Sequence, residues 1–359
     1  MSAYVKKIFA TLFMLLPSLV ILTVACGDLD WKKPKAFGRQ REILVICDDK
    51  LWEEIEIPLR KQVERTLRAV RSEKVFVLAQ VTAEKVQHYK EWDKIILIES
   101  LESAKLLNFV APDSAMSKLR EGEGLFFNQI DVWADNQRVV GLAAPKNEEI
   151  LRLVAAHGDR IYNAFIRQVE NQELFRMFFT GRDTLLADSL AVAEGFSIIL
   201  PSVYARIQQD SLAENELLLV HLEPVRSIFI TWEELADSPL NKSREKLAAY
   251  RTRLTANIYP SQETIVGRVD TSTVIAGGIE RLRLYGVWEN RVEVSGGIYV
   301  SHIIDSPEQN RRYFIDCLLF CPDMRKNKYR YIFQLDRILD SFQIHLDRQP
   351  PAQGRLRSN

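Results

Sequence analysis

The eighteen residues from Ile8 to Ala25 (IFATLFMLLPSLVILTVA) carry no charge, and Lys6 and Lys7 stand directly ahead of them. A basic start, an apolar run and a small residue before a cut site form an export signal. The run is also about long enough to span a bilayer. Under the positive-inside rule Lys6 and Lys7 stay in the cytoplasm either way, so everything after Ala25 is exported. No later apolar segment is long enough to cross a membrane, which leaves a water-soluble body tethered at one end.

Leu22-Thr23-Val24-Ala25-Cys26 resembles the lipobox of a bacterial lipoprotein signal, with Thr23 where that pattern has leucine. The resemblance implies that residues 1–25 are removed and that the Cys26 thiol takes a diacylglycerol. Two or more acyl chains hold a protein stably, at about 0.8 kcal/mol per buried methylene. An uncleaved transmembrane anchor is the rival reading, and a plain cleaved signal the third. Pro17 within the run and the following Gly27-Asp28-Leu29-Asp30 favour cleavage. Gly27 is not the aspartate that retains lipoproteins at the inner membrane, which points to the outer membrane.

Lys and Arg together number 48, as do Asp and Glu, so no global field calls for nucleic acid. With Cys26 lipidated, Cys47, Cys317 and Cys321 remain, an odd number set in apolar runs. They read as buried core cysteines. Residues four apart on a strand are about 13 Å apart, too far for a bridge. Neither a metal nor a cofactor is implied.

Residues 26–40 read as a polar tether and 347–359 as a disordered tail. The body reads as α+β, with antiparallel and mixed sheets and amphipathic helices packed on one face, in halves 41–180 and 181–346. In the first half a strand at 42–47 precedes a helix to about Arg71, and 111–124 reads as a loop. Ile130–Trp133 and Val139–Ala143 read as a hairpin, and Pro145 opens a long helix. The second half has a helix at 184–194, a strand at 196–200 and a hairpin of 217–221 with 227–231. A helix at 243–255, a loop at 259–277, three strands (280–288, 297–304, 312–320) and a last amphipathic helix follow. Both halves end in a hairpin, a proline and a helix, so an internal duplication is one reading.

Asp48-Asp49, at the end of a buried strand, occupy the place where open α/β sheets put ligand-binding groups. The plainer reading is that they cap the following helix. Arg281 and Arg283 alternate on one strand face with Trp288 and Gly296-Gly297 nearby, a set suited to an anion or a sugar ring. The plainer reading there is a solvated strand face. Lys32-Lys33-Pro34-Lys35 could touch lipid headgroups or simply keep the tether soluble. The five histidines are scattered, and neither a nucleophile elbow nor a phosphate-binding loop occurs. Ser301 and His302 are adjacent and would face opposite sides of a strand.

Glu42–Trp52, Ile130–Ala134, Gly195–Pro201, Tyr285–Glu289 and Gly296–Ser301 together resemble the uncharacterised bacterial lipoprotein family known as domain of unknown function 4837. That resemblance implies a lipidated envelope protein and supplies no activity or catalytic residue. The expected function is a membrane-anchored binding module for an envelope protein or a glycan. An envelope hydrolase or small-ligand carrier is the alternative.

Overall fold

The computed structural model describes residues 32–236 and 239–346. The signal segment, Cys26 and the tail from 347 lie outside the described residues. Every residue of Ile43–Cys47 is apolar and buried, the pattern of a strand covered on both faces. This strand, β1 (Glu42–Ile46), leads into helix α1 (Asp49–Val63), a short ribbon of β2 (Thr66–Leu67) and β3 (Glu73–Lys74), and then β4 (Val77–Val81). There follow β5 (Lys94–Ser100), short helices α2 (Leu107–Val110) and α3 (Asp113–Arg120), β6 (Leu125–Ile130), β7 (Arg138–Ala144) and the long helix α4 (Asn147–Met177).

The first sheet runs β4-β1-β5-β7-β6. Its first four strands are mutually parallel, and β6 is antiparallel to β7. Helices α1 and α4 cover the face of Ile43, Val45, Ile96 and Leu142. The other face, with Ile46, Ile95 and Leu97, is closed by the turn at Val86 and by α2 and α3. Helices thus lie on both faces here, where the sequence led us to expect one.

Three local expectations are corrected. The first helix stops at Val63, because the buried Glu64 carboxylate accepts the Leu78 N–H at 2.8 Å and the Arg60 guanidinium, turning the chain out of the helix. The hairpin uses Leu125–Ile130, and 131–137 is its loop, with left-handed backbone at Asp131 and Asn136. The expected loop at 111–124 contains α3.

The second half contains α5 (Thr184–Ala193), β8 (Phe196–Ser197), β9 (Ala205–Ile207), β10 (Glu216–Leu222), β11 (Val225–Glu234) and α6 (Arg244–Thr255). It continues with β12 (Gln262–Thr264), β13 (Asp270–Ala276), β14 (Ile279–Asn290), β15 (Ser295–Ser306), β16 (Arg311–Phe320), α7 (Lys328–Asp340) and β17 (Gln343–Ile344). The large sheet is antiparallel throughout, ordered β12-β14-β15-β16-β11-β10-β9, with β13 also on β14. Helix α7 packs Ile332, Leu335, Ile338 and Leu339 on one face, and α6 closes the other with Leu247. The segment expected as a loop at 259–277 holds two edge strands. Their polar run Asp270–Thr273 lacks the alternation that marks a half-buried strand.

The halves are not built alike, one sheet being largely parallel and the other antiparallel. Their common hairpin-proline-helix ending is therefore a local likeness. They join where α4 packs on α7: the buried Glu173 carboxylate accepts from Gln334 Nε2 at 2.8 Å and pairs with Arg330, and Tyr329 Oη donates to Glu170 at 2.6 Å.

Candidate functional site

Asp48 and Asp49 directly follow the C-terminal end of β1, at the edge of the parallel sheet where the strand order switches between β1 and β5. A small hollow of about 160 Å³ lies there, also lined by Glu84, Glu99, Ser103 and Lys105. Its acids are already engaged. Asp48 accepts the Leu51 N–H at 2.9 Å as the N-cap of α1, and Asp49 accepts from Gln80 Nε2 at 3.0 Å. Glu99 accepts the N–H groups of Leu106 at 3.0 Å and Leu107 at 2.9 Å, while burial pushes its carboxyl up. Burial, reinforced by Asp48 and Asp49, raises the neighbouring Cys47 thiol to about 12 and keeps it protonated. Among the described residues no cluster of three potential ligands is arranged to hold a metal ion.

Arg281, Arg283 and Trp288 do not converge. β14 pairs with β15 without interruption from Leu282 to Asn290, so odd and even positions face opposite sides. The arginines lie under α7. Arg281 is buried and donates to the last carbonyls of that region, including Phe342 O at 2.7 Å, while Arg283 makes a two-point pair with Asp336 at 2.9 and 3.0 Å. Trp288 is on the far side against Phe320 and Tyr299. Directly across from Arg283 stands His302, fully buried with both ring nitrogens unpartnered. Burial and the two arginines drive its pKa down to about 3.

On the Trp288 side lies an ion pair that the sequence reading passed over. Arg251 of α6 meets Asp316 of β16 at 2.8 and 2.9 Å, both essentially without exposure. Ser301 Oγ donates to the same carboxylate at 2.5 Å, and the guanidinium lies 3.9 Å from the Tyr299 ring centre. A charge inside the apolar run Ile315-Asp316-Cys317 was the available signal. The group is sealed from solvent and serves structure. Ser301 and His302 face opposite sides of β15, as their adjacency required.

A roomier concavity than the Asp48–Asp49 hollow lies elsewhere, a cleft of about 420 Å³ between the two halves. The loop joining β2 and β3 forms one wall; the β14–β15 turn and the chain leaving β16 form the other. Val70, Val294 and Met324 are exposed at its mouth, Val294 to 90%. Ile298, Leu319 and Cys321 line the interior, and a buried Glu73–Lys328 ion pair supplies the polar end. The shelf depends on Gly296-Gly297: a Cβ on Gly297 would lie 2.1 Å from Leu319 O and 2.7 Å from Trp288 Nε1. The diglycine noted in the sequence is therefore a close-approach site, with no bulge. The described residues lining the cleft include no histidine, and burial holds the Cys321 thiol in its protonated form. The volume falls in the range of small-molecule sites, roughly 300–1,000 Å³. Such a lining is suited to holding an apolar group beside a charged one.

Residues 226–341, from β11 through α7, match the model of Domain of unknown function (DUF4837). The chain resembles that family. Residues 36–178 match a second one, Domain of unknown function (DUF8532). Of the segments that carry the resemblance in sequence, Tyr285–Glu289 and Gly296–Ser301 lie in the DUF4837 span. Glu42–Trp52 and Ile130–Ala134 lie in the other, and Gly195–Pro201 in neither. No curated protein matches. Among solved structures, the Ran-binding protein Mog1p of Saccharomyces cerevisiae aligns with 43% of this chain and 91% of its own, at 12% identity and a TM-score of 0.31. LpqN, involved in cell envelope biogenesis of Mycobacterium tuberculosis, aligns with 42% of this chain and 83% of its own, at 12% identity and a TM-score of 0.29. Likenesses this distant carry no functional argument.

Proposed function

We propose that this chain is an exported binding module, anchored to the cell envelope through lipid on Cys26, that receives an apolar group in the cleft between its halves. The cleft carries the reading: at about 420 Å³ it has room for a small group, it is apolar at the mouth, and it lies where two separately built halves meet. The export signal, Cys26 and the DUF4837 resemblance support the envelope setting, with the outer membrane favoured by Gly27. No helix among the described residues is long and apolar enough to cross a membrane, which suits a body held by its N-terminal end. The best-fitting partner is an envelope protein presenting an apolar side chain. A glycan or hydrolytic role through Arg281, Arg283 and Trp288 has no common surface to work on.

Two measurements test the two parts. Tagged fatty acid should label the wild type and not Cys26→Ala; full-length protein in the membrane without label would mean a transmembrane anchor. A solvatochromic apolar dye should bind the purified body once per molecule and lose that binding in Val294→Glu/Met324→Glu. Equal binding in the variant would place the apolar site elsewhere.

A further inference from the structure

Within the segment expected as a tether, the described residues 33–38 are docked on the body. Asp135 N donates to Pro34 O at 2.8 Å, Ala36 N to Asp135 O at 2.9 Å, Phe37 N to Glu91 O at 3.0 Å and Asp93 N to Phe37 O at 2.8 Å. Gly38 is pressed so close that a Cβ there would lie 2.2 Å from Asp93 Oδ1. Lys33 also donates to Asp131 O. Residues 33–38 thus follow one end of the first sheet, where β5 and β7 begin. Only seven peptide steps separate Cys26 from Lys33, roughly 25 Å at full extension. A lipid on Cys26 would hold this end of the sheet near the bilayer.

The surface there has the composition of a membrane-facing one. Phe37 and Ile130 are 56% and 62% exposed. Phe37 meets Trp92 edge-on at 5.9 Å between ring centres, and Tyr89 adjoins Trp92 at 6.3 Å. Lys32, Lys33 and Lys35 are exposed around them, whereas Glu91, Asp131 and Asp135 are half-buried. Tryptophan and tyrosine rings favour the headgroup level, apolar side chains such as phenylalanine bury at the boundary beneath it, and lysines near a bilayer are drawn to anionic lipid.

We infer that this end of the sheet rests on a phospholipid surface. Phe37 and Ile130 sit at the boundary beneath the headgroups, Lys32, Lys33 and Lys35 lie against anionic headgroups, and the Asp48–Glu99 end points away from the bilayer. The inference rests on the reading of Cys26 as the lipidated residue. To test it, acylated full-length protein carrying Ile130→Cys or Glu84→Cys is labelled with a fluorophore. The protein is placed in phosphatidylethanolamine vesicles with or without phosphatidylglycerol, containing headgroup-proximal brominated lipid. The three described native cysteines are buried, and the same protein without the added cysteine, labelled in parallel, gives the background.

Acylation is read by mass on the same sample. The expected result is acylated protein quenched at position 130 and not at 84, more strongly with phosphatidylglycerol, the excess being lost in Lys32→Gln/Lys33→Gln/Lys35→Gln. Acylated protein with equal quenching at both positions, or with none at either, overturns the orientation while the anchor stands. Absence of the acyl mass overturns the anchor, and the orientation with it.

Discussion

Asp316 occupies a strand in which its neighbours Ile315 and Cys317 are fully buried, and its charge is met by Ser301 and by Arg251, whose guanidinium lies over the Tyr299 ring. Removing one partner of such a pair leaves the other charge buried and alone, a loss of about 3–5 kcal/mol. We expect Asp316→Ala to unfold at markedly lower denaturant, and Arg251→Met/Asp316→Leu to recover most of the loss. His302 provides the pH counterpart. Its folded pKa of about 3 lies below the ordinary value of about 6.5, so the unfolded chain binds the extra proton. Stability unaffected above pH 6.5 is lost as pH falls towards 3, by at most about 1.4 kcal/mol per pH unit from this group. Thermal unfolding of His302→Leu followed against pH should show a shallower slope over that window. Arg251 was not legible as structural from sequence, being one of three arginines on its helix, and Asp316 signalled a charge within a buried strand without naming its partner.

Among the elements, the capping of α1 was readable because Asp48 follows an apolar run and precedes helical spacing. Asp48→Ala should cost about 1 kcal/mol by chemical denaturation and leave dye binding in the cleft unchanged. The inner strands of the second sheet, β10, β11, β14, β15 and β16, apolar with turns between them, were also readable to within a few residues of their ends. Trp288 was assigned to the wrong company, although the period of two already separated it from Arg281 and Arg283. The edge strands β12 and β13 were missed because their exposed polar positions remove the alternation on which detection depends. The end of α1 was missed for a different reason, since Leu67 and Val70 continue its spacing while a tertiary contact of Glu64 ends it. In β15, Gly297→Ala places a methyl against backbone and indole together, so stability should fall by about 1–3 kcal/mol, as overpacking of a rigid site does.

The whole molecule is two unlike sheets fastened through α4 and α7, with Glu173 buried at the fastening and the cleft beside it. Nothing in linear sequence brings Val70, Val294 and Met324 together; their convergence is a product of how the halves dock. Placing a photo-crosslinking amino acid at position 294 in living cells tests the cleft most directly, with position 84 as the distant control. The account predicts a discrete protein adduct from 294, absent from 84 and abolished by Val70→Asp. Equal adducts from both positions, or an adduct indifferent to Val70→Asp, would contradict the cleft as the binding site.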